Sequence, residues 1–148
     1  MAYHDDLLDQ SGHLATRDPR RPKQANLRRA VSTAYYALFH LLVSQAVGYW
    51  RLKRQRSVLA RSFDHRKMKG ACNSCRSQVP ELDAVAKAFV ILQQYRHLAD
   101  YDNSTAWTRV EAMEEVTRAR SAFAQWEQIK TREEAQDFLL SLFAADRR

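Results

Sequence analysis

Glycine, proline and cysteine are all scarce in this chain. Its 148 residues include only 3 glycines, 3 prolines and 2 cysteines. Hairpins and irregular loops rely on glycine and proline, so their scarcity favours a mostly helical protein. The hydrophobic content of 45% is enough for a real core, and the length suggests one domain over residues 1–148. We therefore expect a single all-α domain.

The sequence also lacks a long apolar run. No segment offers about 18 consecutive apolar residues, so we expect no transmembrane helix and no membrane partner. The first ten residues are acidic and contain no apolar stretch, which is unlike a signal peptide. A cytoplasmic location is the default expectation.

The two cysteines form one C-x-x-C motif, at Cys72 and Cys75. No second pair follows at zinc-finger spacing, and His65 would complete a site only by chance of the fold. No βαβ pattern surrounds the motif, which argues against a thioredoxin-like role. We expect reduced thiols without a special role, no metal site and no cofactor.

Positive charge is concentrated in the first half of the chain. Residues 1–80 carry 15 Lys/Arg and 5 Asp/Glu, whereas residues 81–148 carry 9 and 12, so +10 and −3 add to the net charge of +7. Most of the excess lies in two blocks, residues 17–29 and 51–69. The positive electrostatic field of these blocks attracts polyanions, and RNA or DNA is the first candidate. The alternatives are a solvated face or a patch that meets the acidic half of a neighbouring subunit.

Apolar periodicity predicts an up-and-down bundle of about five helices. A capping box is predicted at Thr108 with Glu111, and a second at Thr131 with Glu134 before the last helix. The other predicted helices cover residues 3–15, 23–50, 81–99 and 109–130. Residues 70–82 are predicted as a connection.

The second basic block, residues 51–69, is predicted to begin as a loop and end as a helix. Val58, Leu59 and Phe63 are expected to point inward there. Asp64 is the one acidic residue of the block, against eight basic ones.

Two helices carry polar residues beside the expected core. On the second helix, Arg29, Thr33, Tyr36 and His40 share one face. That face would line a cleft or a subunit contact, or it is an ordinary half-buried surface whose polar ends find partners.

On the helix at 81–99, the apolar stripe continues to Arg96. An arginine on a core stripe needs a partner, and Asp100 at i+4 or Asp102 would provide one. His97 and Tyr101 are also four residues apart. The segment therefore predicts a polar cluster at the C-terminus of this helix.

Two segments resemble the HEPN family, the nucleotide-binding domain shared by higher eukaryotes and prokaryotes. LRRAVSTAYYALFHLL (27–42) is similar to the long early helix of that family, and YRHLADYDNSTAW (95–107) is similar to the R-x-x-ADYD segment of one branch. The resemblance spans about residues 27–126. It implies a HEPN-like bundle of four or five helices that pairs as a homodimer, with a cleft between the facing long helices.

The resemblance also implies a choice of functions. Many HEPN proteins are metal-independent ribonucleases that act as toxins or in defence, and others bind nucleotides or partner a nucleotidyltransferase antitoxin. The ribonuclease signature is an arginine followed, after four to six residues, by a histidine. Here Arg96 and His97 are adjacent, and Arg61 and His65 have three residues between them.

Three functions are therefore open. A binding module would hold RNA or a nucleotide in the cleft, with Tyr101 or Tyr36 stacking on a base. A ribonuclease would use His97 or His65 as acid and base and Arg96 or Arg61 on the phosphate, oriented by Asp100 and Asp102. A non-catalytic structural or antitoxin-linked protein would use the cluster as a buried ion-pair network. The residues expected to contact the ligand are Arg61, His65, Arg66, Lys67, Lys69, Arg96, His97, Asp100, Tyr101, Asp102, Arg29, Tyr36 and His40.

Overall fold

A computed structural model describes residues 2–144, and all regular secondary structure in that range is helical. Seven helices follow one another along it: α1 (Tyr3–Thr16), α2 (Gln24–Gly48), α3 (Lys53–Ala60), α4 (His65–Ser74), α5 (Pro80–Tyr101), α6 (Arg109–Ile129) and α7 (Glu133–Ser141). The long helix α2 is central, because it packs against α1, α5 and α6. The expected all-α class is confirmed.

The four long helices alternate in direction. Arg28 near the start of α2 contacts Ala99 near the end of α5, so α2 and α5 run antiparallel. Gln45 near the end of α2 contacts Trp126 near the end of α6, so α2 and α6 run parallel. The first turn of α1 packs against the last turns of α2. Helices α1, α2, α5 and α6 therefore run up, down, up and down.

The predicted apolar stripes form the core. Buried residues from every helix except α3 join one cluster, which also includes Phe63, Val79 and Trp107 between helices. All six stripe residues predicted on α2 are buried: Leu27, Val31, Ala34, Leu38, Leu41 and Leu42. On α5, the stripe of Leu82, Val85, Phe89 and Leu92 is buried as predicted.

The second basic block differs from the prediction. Its start is helical (α3) rather than a loop, since its lysine, arginine and glutamine residues are good helix formers and no glycine or proline interrupts them. The following α4 extends into the segment predicted as a connection, as far as Ser74. Phe63 is buried and Leu59 is half-buried, but Val58 is 64% exposed, because it lies on a different side of α3 from Leu59. These short helices raise the count to seven.

One predicted capping box is confirmed and the other is wrong. Thr108 Oγ1 accepts from the Glu111 backbone N–H at 3.1 Å, and Glu111 Oε1 accepts from the Thr108 N–H at 3.0 Å. Helix α7 instead has Arg132 at its N-cap, with no side-chain cap. The Arg132 N–H donates to Ile129 O at 2.9 Å, so the chain turns first and leaves Thr131 in the turn.

Within residues 2–144, α2 is the one helix long and apolar enough to cross a membrane by length and composition. However, 67% of its most apolar window is buried against other helices. Core helices of soluble proteins meet the same criterion, so the location of the protein stays an expectation.

Candidate functional site

Arg96 lies on the inward stripe of α5, as the sequence predicts. Its side chain is 14% exposed. The guanidinium carbon is 5.3 Å from the Tyr35 ring centroid and 5.4 Å from the Tyr36 ring centroid. Because α2 and α5 are antiparallel, these two tyrosines face the last turns of α5. Both distances fall within cation–π range, so the two rings of α2 contact the charge of Arg96.

The predicted ion pair of Arg96 is present but long. Arg96 Nη1 is 3.7 Å from Asp100 Oδ2, and Ser32 Oγ donates to the same oxygen at 3.3 Å. Asp102 does not pair with Arg96, because its carboxylate accepts from the backbone and hydroxyl of Ser104 at 2.9 and 2.5 Å. Of the two predicted partners, Asp100 is the one that the fold provides.

Two buried polar atoms next to this ion pair have no hydrogen-bond partner among residues 2–144. They are the Nε of Arg96, a donor, and the Oε1 of Gln93, an acceptor, one turn earlier on α5. Buried polar atoms are nearly always hydrogen-bonded, so each such atom needs an explanation. Arg96 is thus positioned by aromatic rings and a long ion pair, with part of its hydrogen-bonding capacity unused.

His65 comes from a different helix and completes the cluster. It is the first residue of α4, after Asp64, whose Oδ1 accepts from the Arg66 and Lys67 N–H groups at 2.8 and 3.0 Å. The His65 ring stacks on Phe39, with 4.2 Å between centroids. Its Nδ1 is 2.6 Å from the hydroxyl oxygen of Tyr35.

The surroundings of His65 favour a neutral ring. Burial lowers the pKa of His65 first, and the nearby positive charge of Arg96 lowers it further. The pKa of Tyr35 is raised, chiefly by burial, so its hydroxyl stays protonated. A neutral imidazole with Nδ1 engaged by Tyr35 leaves Nε2 without a hydrogen-bond partner among residues 2–144.

The structure recombines the two predicted Arg/His pairs. His97 is exposed on the outer side of α5, where its ring lies 5.0 Å from that of Tyr101, and it does not join Arg96. Arg61 is exposed at the C-cap of α3 and does not pair with His65. The cluster instead joins Arg96 of the first pair to His65 of the second.

The other predicted ligand-binding residues lie around this cluster. Tyr36 and His40 are half-buried on α2, with ring centroids 6.5 Å apart, and burial lowers the pKa of His40. Arg29, on the same predicted face, is exposed. Arg66 and Lys67 are exposed in the first turn of α4, beside His65, and Lys69 is half-buried.

Tyr35 is the site residue that the sequence reasoning missed. It is fully buried and bridges His65 and Arg96. It lies at i+4 from Val31 on the buried stripe of α2. A tyrosine on a buried stripe needs a partner for its hydroxyl, as an arginine there needs one for its charge, so the helical spacing could have indicated Tyr35.

The cysteines show no special chemistry. Both are free thiols, and burial raises the pKa of Cys72 and of Cys75, which disfavours the reactive thiolate. Over the described part of the chain, no group of three or more His, Cys, Asp or Glu side chains is placed to hold a metal ion.

No family model, curated protein or solved structure matches this chain.

Proposed function

We propose that this protein is a HEPN-like helical bundle that binds RNA or a nucleotide through phosphate at the cleft around Arg96. The observation that supports this most is the state of Arg96 itself. Its guanidinium is fixed by two tyrosines of α2, yet its ion pair is 3.7 Å long and its Nε has no acceptor. Because the Nε is buried, a phosphate would bind at the exposed part of the guanidinium, where the long ion pair to Asp100 leaves donor capacity.

The surface beside the cleft has the charge that a polyanion needs. Arg66 and Lys67 are exposed next to His65, and Lys69 follows on the same helix. Exposed cations of this kind contact phosphates and raise the rate of association, in a salt-dependent manner. Tyr36, half-buried at the edge of the cleft, would stack on a base.

The HEPN resemblance and the geometry of the cluster point to the same place. Tyr35 and Tyr36 lie in the segment that resembles the long early HEPN helix, and Arg96 and Asp100 lie in the ADYD-like segment. The two segments meet through the contacts of Arg96 with both rings. The homodimer, the dimer-associated cleft and a nucleotidyltransferase-type antitoxin partner belong to this proposal.

Binding is tested with labelled single-stranded RNA and with a labelled mononucleotide, by fluorescence anisotropy in EDTA. Arg96→Met is expected to weaken binding about tenfold or more, because charge-assisted hydrogen bonds to phosphate are lost. Arg120→Met removes an exposed arginine on α6 and is the matched control. His97→Ala is expected to bind like the wild type. Equal binding by the Arg96→Met and wild-type proteins would contradict the proposal.

A metal-independent endoribonuclease is a second candidate, supported by the neutral His65 beside Arg96. In this reaction His65 carries its ring proton on Nδ1, which donates to the Tyr35 oxygen, so that Nε2 has a free lone pair. Nε2 takes the proton of the ribose 2′-hydroxyl, and the 2′-oxygen attacks phosphorus. The bond from phosphorus to the 5′-oxygen breaks, a cyclic phosphate forms, and water protonates the departing 5′-oxygen. Arg96 would stabilise the negative charge on the phosphate in the transition state.

This candidate is tested by RNA cleavage in EDTA. The wild type is expected to cleave, His65→Gln and Arg96→Met are expected not to, and His97→Gln is expected to remain active. Binding without cleavage in the wild type would exclude the ribonuclease and leave the binding protein. Cleavage that survives His65→Gln would show that another residue is the base.

A further inference from the structure

Helix α3 has an unusual position, because the protein buries none of its residues. Leu59 and Ala60 are half-buried against the core on one side. The turn before α3 is nevertheless fixed, since Arg56 donates to Gly48 O at 3.1 Å and to Trp50 O at 3.0 Å. These two bonds tie α3 to the end of α2 and to the turn between them.

Large apolar side chains lie on this outer surface. Trp50 is 48% exposed and Val58 is 64% exposed, and Tyr49 and Leu52 beside them are also exposed. The Trp50 Nε1 donates to Gln55 Oε1 at 2.8 Å, and Gln55 and Val58 are three residues apart on α3. Residues at this spacing are neighbours on a helix surface, so Trp50 and Val58 belong to the same side.

The same surface is strongly basic. Residues 49–61 contain five lysine and arginine residues and no acidic residue. Arg54 and Arg61 lie four residues before and three residues after Val58, which places them on either side of it. Both are exposed. We call Trp50, Arg54, Val58 and Arg61, with the exposed residues 49 and 51–53, the α3 patch.

We propose that the α3 patch docks the protein onto an anionic lipid surface. Basic residues there pair with lipid phosphate and carboxylate groups, while tryptophan and tyrosine settle at the level of the headgroups. A lipid surface would bury the apolar side chains of Val58 and Leu52, because they would reach the boundary of the acyl chains. Docking of this kind lies on the membrane surface and does not span the membrane.

A nucleic acid explains the patch less well. The phosphates of a nucleic acid would pair with the arginines, and its bases would stack on Trp50. Val58 has neither a flat face for a base nor a polar atom for a phosphate, yet it lies between Arg54 and Arg61. An exposed aliphatic side chain between two arginines is better matched by a lipid surface, which presents a charged headgroup layer and an apolar layer beneath it.

The experiment uses the full chain with phosphatidylcholine vesicles, with and without phosphatidylserine. Co-sedimentation measures binding, and tryptophan emission reports insertion. Trp107 and Trp126 are buried, so a change in emission reports Trp50. We expect binding and a blue shift with phosphatidylserine vesicles, and weak binding with phosphatidylcholine alone.

Two single variants separate the apolar and charged parts. Val58→Ser is expected to weaken vesicle binding about fivefold through lost apolar burial. Arg54→Gln is expected to weaken it about fivefold through lost attraction to the anionic lipid. Val110→Ser and Arg120→Gln make the same changes at exposed positions on α6 and are expected to bind like the wild type. All four positions are exposed, and circular dichroism checks that each variant is folded.

Three outcomes would overturn the proposal. The first is no binding to phosphatidylserine vesicles. The second is binding that Val58→Ser leaves unchanged and that gives no blue shift, which indicates simple charge attraction. The third is RNA binding that Arg54→Gln weakens and Val58→Ser does not, with no vesicle binding, which assigns the patch to RNA. Because these variants lie outside the Arg96 cleft, failure here leaves the cleft proposal intact.

Discussion

Replacing Arg96 with methionine distinguishes an arginine kept for a ligand from one kept for the fold. Methionine retains the length and the apolar stem of arginine but removes its charge and donors. Replacing the arginine of a well-paired buried ion pair in this way leaves its carboxylate partner uncompensated and costs about 3–5 kcal/mol. The contacts of Arg96 predict a much smaller cost.

The expected magnitude follows from those contacts. Two cation–π contacts at 5.3 and 5.4 Å are lost, which costs about 1–2 kcal/mol together. The ion pair with Asp100 is 3.7 Å long and adds at most about 1 kcal/mol. Against this, the buried Nε without an acceptor disappears, which returns about 1–3 kcal/mol. These terms largely cancel, so the free energy of unfolding should change by no more than about 2 kcal/mol in either direction.

Urea unfolding followed by circular dichroism measures this change. Arg28→Met is the positive control, because Arg28 donates to the carbonyl oxygens of Ala99, Asp102 and Thr105 at 3.0, 2.6 and 2.5 Å. Its loss should cost about 3 kcal/mol, since charge-assisted bonds that cap α5 are removed. A similar cost for Arg96→Met would refute the reasoning and assign Arg96 to the structural ion-pair network.

Other predictions concern pH, helix caps and a helical glycine. The pKa of His65 lies below its ordinary value of 6.5, mainly because of burial, so the unfolded chain takes up a proton first and stability falls as the pH drops below 6.5. His65→Gln should flatten that part of the stability–pH profile, whereas the exposed His97→Gln should not. Thr108→Ala should cost about 1 kcal/mol in thermal unfolding and Thr131→Ala almost nothing, because only the first residue caps a helix. Gly12→Ala should raise the melting temperature, because α1 gains about 0.5 kcal/mol. The one close neighbour of the new Cβ is the end of a flexible arginine side chain. A lower melting temperature would show that this arginine cannot move away.

Helix positions and the inward side of each long helix could be predicted from the sequence. These features depend on local periodicity. Arg96 could be identified as a site residue because it interrupts the apolar stripe of α5. Its partner Asp100 was predictable for the same reason, since the two lie on one helix surface. The prediction of a loop at the start of residues 51–69 was wrong, because lysine and arginine are good helix formers and α3 forms there.

The composition of the cluster could not be predicted in this way. His65 and Tyr35 reach Arg96 from two other helices, and local spacing does not indicate which turns of different helices face each other. Both predicted Arg/His pairs were chosen from neighbours in the sequence. The fold separates the members of each pair and brings together Arg96 and His65, which are 31 residues apart in the chain.

Phe63 lies between α3 and α4, where it is buried and its ring centroid is 5.2 Å from that of Phe143. It anchors the chain just before His65, while α3 before it has no fully buried residue. The backbone amides of α3 should therefore exchange their hydrogens with solvent through local opening, much faster than those of α2, which depend on global unfolding. Because the anchor lies after α3, such openings leave His65 in register with Arg96. Slower exchange confined to α4 would then be a direct sign that the cleft is occupied.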